Sequence, residues 1–391
     1  MLFVIFYFIF LSTQIHTQSN SHLQTPSEKW AYMLVNYSLN LQPDETLLIE
    51  TTHLSQELCL MVYKEAIKAG AHPYISLELP GTNEIFFRIA SDNQLTYVHP
   101  VHKFIYENFD ARLYIIAPAN TRSLTNMDPK RMRKANIAFV EKAKKYMYRR
   151  IGNKQMKWCY TSFPTQALAQ EADMGFEEYK RFVFESCKLN EQQPRKSWEK
   201  LSQRQKELCS WLKGKSKVTL HGPNIDLQMS IENRTFDNDD GITNFPGGEI
   251  YTSPVENSTK GWVRFSYPAI FNQQEIIDIE LWIENGKVVK ERASKGQAFL
   301  TEILNSDDGA RIIGELGIGT NYDIKHFTKN MLFDEKIGGT IHLAVGMGFP
   351  ECGGKNESAI HWDMLCDMSE GEIIVDGKII YKNGKFVLKV N

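Results

Sequence analysis

The sequence predicts two differently built parts: an α/β N-terminal domain with a mostly parallel sheet, and a β-rich α+β C-terminal metal-binding domain. Three observations carry this. Between about residues 28 and 190, short apolar runs alternate with segments of helical spacing, the pattern of strand–helix units with covering helices. From Lys217 onward, short alternating runs are separated by turn signals such as Gly222-Pro223-Asn224, Glu284-Asn285-Gly286-Lys287, Asp376-Gly377 and Asn383-Gly384. That second part also holds two histidines and an aspartate on short apolar runs, the donor types of a transition-metal centre.

The 391 residues and 42% hydrophobic content suffice for two domains with cores of their own. The formal net charge of −2 gives no electrostatic case for nucleic acid. Leu2–Leu11 (LFVIFYFIFL) is too short to span a bilayer as a helix, so no stable membrane span is expected. It has the length of a signal-peptide core. Yet no Lys or Arg precedes it, and Ser12–Ser21 offers no small-x-small cleavage site. A start codon upstream of the native one explains it as well as secretion does. Residues 1–27 are therefore read as an extension and the protein as cytoplasmic, with secretion as the alternative. The six cysteines, Cys59, Cys159, Cys187, Cys209, Cys352 and Cys366, are widely spaced and form no disulfide framework or CxxC zinc motif. Asn-x-Ser/Thr matches at Asn36, Asn233, Asn257 and Asn356 carry weight only with a secretory route.

In residues 28–190, Thr46–Glu50 reads as a strand, Ser55–Ala69 as a helix ending at Gly70, and Tyr74–Leu79 and Leu113–Ala117 as further strands. Asp128-Pro129 starts a basic helix that runs to Arg150; its charges read as a solvated face. Gln155–Ser162 is another strand. His99 and His102 lack a carboxylate at fitting spacing and read as structural. No GxGxxG or P-loop stands at a strand–helix turn, so a nucleotide site is not supported. Residues 191–216 turn polar around Pro194 and read as a helical hinge. In residues 217–391, Lys217–Ile231, Val263–Ser266, Ile276–Ile283 and Lys287–Glu291 read as strands, and Lys295–Leu304 as a helix.

The chemistry concentrates in Gly338–Asp363. His342 sits in the apolar run Thr340–Val345, and His361 in Ala359–Trp362. Residues i and i+2 of a strand share a face, so His361 and Asp363 project together. Imidazole with carboxylate suits Zn, Mn, Fe or Co better than Ca or Mg. The competing reading is a satisfied core histidine at 342 and an ordinary ion pair at 361 and 363. Glu249, after Phe245-Pro-Gly-Gly, and Glu315, in the Gly-rich loop Gly314–Asn321, add two acids where backbone can approach a ligand closely. Two Glu, two His and one Asp can hold two ions that share a bridging acid.

The segments GPNIDLQMSI, NFPGGEIYTSPVE, VRFSYPAI, GELGIGTN, LFDEKIGGTIHLAVG, GGKNESAIHWDM and DGKIIYKNGKF resemble the aminopeptidase T-like family of metalloexopeptidases, the thermophilic metalloproteases (M29). The resemblance runs from about Glu28 to the C-terminus and is densest from Leu220 to Asp363. It implies an aminopeptidase acting on peptide substrates, a homodimer, and two divalent ions drawn from Zn, Co, Mn or Mg. It puts the ligands on Glu249, Glu315, His342, His361 and Asp363; two-metal chemistry assigns Glu315 to bridging, with a share in catalytic proton transfer. The family also has a tyrosine in a Gly-Tyr-Pro-Glu setting that reaches into the site. This chain reads Gly348-Phe349-Pro350-Glu351 there, so the hydroxyl is missing. Two alternatives follow. His342, His361 and Asp363 alone would make the facial triad of a mononuclear Fe(II) ring-cleaving dioxygenase. Phe349 alone would argue for a weakly active or inactive peptidase homologue.

Overall fold

The structure is a computed structural model that describes residues 25–271 and 274–388. The Leu2–Leu11 run lies outside the described residues. A capping box opens the first helix, Pro26–Met33: Thr25 accepts from the Glu28 N–H, and the Glu28 carboxylate accepts from the Thr25 N–H. Residues 25–27, assigned above to the extension, thus belong to the fold.

The first sheet is parallel, in the order His72–Glu78, Thr46–Thr52, Ala111–Ile116, Lys157–Ser162 and Asn244–Phe245. The β-branched and leucine-rich Thr46–Thr52 run lies inside this sheet, with Leu47, Leu48 and Ile49 buried. The helix Gln56–Lys68 turns Leu58, Cys59, Val62 and Ala66 onto the same core. The basic helix starts where expected, with Asp128 accepting from the Lys130 N–H at 2.9 Å. It is interrupted by a π-helical turn at Val140–Lys144. Lys130, Arg133, Lys142, Lys145 and Arg149 are exposed, as a solvated face requires. Arg131 and Arg150 instead donate to the carbonyls of Phe87 and Phe109, tying neighbouring helices. His99 caps the helix Pro100–Asn108, and the His102 ring meets Phe139 edge-on, both structural roles.

The rest of the described residues build two large antiparallel sheets and a two-stranded one, Ala269–Phe271 with Gln274–Ile276. An eight-stranded sheet runs from Lys287–Arg292 at one edge to Lys385–Phe386 at the other. A five-stranded sheet has the order His361–Asp367, Thr340–Gly346, Ile313–Gly319, Glu249–Thr252 and Asp237–Asp239. Lys217–Gly222 pairs with Ile225–Ser230 across the Gly-Pro-Asn turn, with inward residues alternating in both. Asn285 and Gly286 at φ 49° and 76° make the tight hairpin that joins Glu284 to Lys287. The expected strand Ile276–Ile283 is split into Gln274–Ile276 and Glu280–Glu284. Between them Asp278 takes φ 54°, a left-handed conformation that aspartate tolerates.

The two sheets face each other across one core. Val218, Leu220, Leu227, Val263 and Ile373 meet Ile250, Leu316, Ile318, Leu343, Trp362 and Met364. The division drawn at residues 190 and 217 is crossed in both directions. Asn244–Phe245 completes the parallel sheet, and Phe333, Ile337 and Leu365 join its core. The segment read as a hinge is one helix, Pro194–Leu212, whose Trp198 lies in the first core and Leu208 and Leu212 in the second. It is a strut anchored at both ends. Among the described residues no helix is long and apolar enough to cross a membrane.

Candidate metal centre

One face of the five-stranded sheet packs on its own core, and the opposite face carries the site. Its register stacks Tyr251, Gly317, His342 and Leu365 in one row, Glu315, Ala344 and Asp363 in the next, and Gly346 and His361 in a third. Glu249 begins its strand opposite Gly319. All five sequence-predicted residues therefore project from one face, although they are spread over more than a hundred positions. Glu315 does not lie in a Gly-rich loop, as the sequence suggested. It sits in Ile313–Gly319, a strand buried along its whole length. The glycines are there because the site needs room. A Cβ on Gly317 would lie 2.0 Å from the His342 ring, so only glycine lets that ring cross the strand.

The carboxylate of Glu315 divides its two oxygens. Oε1 lies 3.2 Å from His342 Nε2, and Oε2 lies 2.9 Å from His361 Nε2. On one side, His342 Nε2 is also 3.3 Å from Glu249 Oε2. On the other, His361 Nε2 is 3.5 Å from Asp363 Oδ1. The ligand atoms of Glu315, His361 and Asp363 lie within 4.8 Å of one another. The result is two half-sites hinged on one acid. They differ in depth: Glu249 and His342 are buried, whereas the His361 and Asp363 side chains are 21% and 13% exposed.

The residues present fit a divalent ion at Glu315, His361 and Asp363, and Glu249 with His342 adds further donors beside it. Glu249 Oε2 and Asp363 Oδ1 are buried, yet neither has a hydrogen-bond partner among the described residues. Buried acceptors are rarely left so without a function. The nitrogen–oxygen separations of 2.9–3.5 Å match the ligand–ligand edges, about 3.0–3.4 Å, of spheres with bonds near 2.1 Å. His361 Nδ1 donates to the Met347 carbonyl at 2.8 Å, which leaves Nε2 as the ligating nitrogen.

Electrostatics follow the geometry. Burial pushes the Glu315 carboxyl up, but hydrogen bonds from His342 and His361 outweigh it and bring it to about 2. Burial lowers the His342 pKa, and Glu249 with Glu315 reverses this, raising it to about 10. For His361, Asp363 and Glu315 overcome burial and lift it to about 12.

Phe349 stands where the family tyrosine was expected. Its ring lies 4.9 Å from that of His361 and 5.2 Å from that of Tyr251, centroid to centroid. Its N–H donates to Ser253 Oγ at 2.7 Å. Sequence reasoning missed Lys336, Asp239 and Gln205. The Gln205 amide donates to the carbonyls of Asp239 and Glu249, both at 3.1 Å, and so fixes the strand that carries Glu249. Lys336 stands among acids in the sequence Phe333-Asp-Glu-Lys336, which reads as surface charge; nothing in the sequence marks it as buried. A cleft of about 650 Å³ lies elsewhere, at the carboxyl ends of the parallel strands. Glu50, Thr52, Glu78 and Tyr114 line it, and none of the five site residues does.

The chain is similar to known proteins along most of its length. The thermophilic metalloprotease (M29) family profile matches residues 23–386. Aminopeptidase 2 of Geobacillus stearothermophilus is 25% identical, over 92% of this chain and 94% of that protein. Aminopeptidase PepS of Streptococcus thermophilus is 23% identical, over 92% and 98% of the two chains. Aminopeptidase T of Thermus thermophilus is 22% identical, over 91% and 95%. The solved structure of wild-type AmpT from Thermus thermophilus superposes with a TM-score of 0.82 at 21% identity, covering 93% of this chain and 99% of that one. It shares both the parallel-sheet region and the antiparallel β-rich region. This chain belongs to the thermophilic metalloprotease (M29) family.

Proposed function

We propose that the protein is a metal-dependent aminopeptidase that removes residues from the free N-terminus of peptides, using two divalent ions. The observation that carries the two-ion reading is the split Glu315 carboxylate, one oxygen to each histidine. Glu249, His342 and Glu315 would hold the deep ion; Glu315, His361 and Asp363 would hold the shallow one. Bound there, the ions supply Lewis acidity toward a scissile carbonyl and acidify a water. The chain's own residues do the rest. Glu315 fixes the spacing of the half-sites, and at about 2 it is a weak base at neutral pH, so the shared-ligand role is the one we assign to it. The exposed edge at His361 and Asp363 admits the peptide, and the site carboxylates draw its α-ammonium inward.

The Fe(II) dioxygenase alternative has no support among the relatives, which are aminopeptidases. Metal content per chain, with hydrolysis of a panel of aminoacyl amides, tests the proposal. Two ions and N-terminal cleavage are expected. One iron per chain, unchanged in Glu249→Ala, would refute the two-ion reading.

Metal loading should also release protons. At neutral pH both imidazoles are charged in the metal-free protein, and a ligand must be the neutral ring. Calorimetry at pH 7 in buffers of different ionisation heat should register release of at least about two protons per chain, since burial also pushes the Glu249 carboxyl well up, with apparent affinity rising with pH. Metal-free stability runs the other way. The imidazolium contribution is full below 6.5 and is lost as pH rises through about 10 and then about 12. Proton-neutral binding would remove the histidines from the ligand set.

All six cysteines are free, which supports a reducing, cytoplasmic location; recovery in the culture medium would contradict it. The resemblance further supports a homodimer, which sedimentation equilibrium would distinguish from a 45.0 kDa monomer.

A further inference from the structure

We propose that Lys336 is a positioning residue that sets the deep half-site by holding Glu249 to a single free oxygen. The inference rests on the assignment of Glu249 as a ligand and goes beyond the family's five-residue set. Lys336 is 0% exposed. Its ammonium lies 3.1 Å from Glu249 Oε1 and 3.2 Å from Asp239 Oδ2, and it contacts Glu335 Oε1 as well. Glu249 is thereby divided: Oε1 faces the ammonium, while Oε2 faces His342 Nε2 at 3.3 Å with no hydrogen-bond partner among the described residues.

The ammonium is itself fixed. The Lys336 N–H donates to the Phe333 carbonyl, and the Lys336 carbonyl accepts from the Asn321 N–H. Asn321 follows the end of the strand whose Gly319 stands opposite Glu249. One rigid corner therefore carries both the lysine and the acid it orients. Asp239 is anchored in turn by the Asn244 amide at 2.9 Å. A buried ammonium is costly, and well-packed apolar residues commonly serve stability better. Geometry supplies a reason for this one. With Oε1 occupied, Glu249 meets an ion through Oε2 alone, in a rotamer preset before the ion arrives.

The experiment is titration of metal-free, full-length protein with Co²⁺, read by calorimetry and by visible absorption of the bound ion. Wild type, Glu249→Ala and Lys336→Met are compared. The expected result for Lys336→Met is one site weakened by about 10–100-fold and the other unchanged. The shallow site is the internal control, since a general loss of structure weakens both. Should the single variant prove insoluble, Lys336→Met with Asp239→Asn removes one acid along with the ammonium and keeps the buried charge the same. The same selective loss is expected there. An unchanged isotherm, or equal weakening of both sites, would overturn the positioning role. Failure of the underlying assignment shows separately, as a wild type that binds fewer than two ions or a Glu249→Ala variant that keeps both.

Discussion

Glu315→Gln should reduce kcat by about 10²–10⁴-fold or more, the range spanned by loss of one essential charged group, and lower metal content below two ions per chain. The substitution is nearly isosteric, but it replaces one carboxylate oxygen by an NH₂ group that cannot ligate. Either orientation of the amide therefore spoils one half-site, because each oxygen of Glu315 faces a different histidine. The anionic charge that both imidazoles meet is also lost. In a Gly-rich loop, where the sequence analysis put residue 315, the change would spare the fold. The structure places residue 315 in the middle of a buried strand, and for a different reason the fold should still hold. The strand is fixed by pairing on both sides, with Glu249–Thr252 and with Thr340–Gly346, and its Leu316 and Ile318 are untouched in the core. Circular dichroism should stay close to wild type, with a lower melting temperature because two imidazolium rings lose their shared anion, while aminoacyl-amide hydrolysis disappears. A variant with near-normal kcat would remove Glu315 from the mechanism.

The residues that were legible in the sequence are those whose signal is local. The strands Thr46–Thr52 and Ala111–Ile116 announce themselves by composition, and the Asn-Gly and Asp-Gly turns by their need for positive φ. His361 and Asp363 were placed together because a strand repeats every two residues. Glu315 was misplaced because glycines 314, 317 and 319 lower strand propensity. Pairing on both sides and burial on both faces override propensity; Gly317 clears space for the His342 ring, and Gly314 and Gly319 admit the carbonyls of Gly346, Met347 and Ile337. The two-residue strand Asn244–Phe245 left no pattern, since its reason to exist is the open edge of a sheet built some eighty residues earlier. Lys336 and Gln205 were invisible for a related reason. Their value depends on which acids and carbonyls the fold brings to them, and no periodicity encodes that.

Phe349→Tyr should raise kcat by up to about 10²–10³-fold, the usual worth of one donor to a developing oxyanion. The family resemblance places a tyrosine at this position, and the structure shows that the phenylalanine keeps the corresponding ring at the mouth of the site. It packs against His361, the shallow half-site's imidazole, and its backbone is held by Ser253. A hydroxyl added to a ring so placed has a fixed direction and little entropy to lose. Tyr251 is the competing source of a donor, since its ring packs edge-on against Phe349 and it stands in the same cross-strand row as His342. The two cases separate cleanly. If the hydroxyl is limiting, Phe349→Tyr gains in kcat with metal affinity unchanged, and Tyr251→Phe in the native background has little effect. If Tyr251 already serves, Tyr251→Phe loses activity and Phe349→Tyr in that background restores it. Equal kcat across wild type and both single variants, on several aminoacyl amides, would show that no tyrosine hydroxyl limits this enzyme.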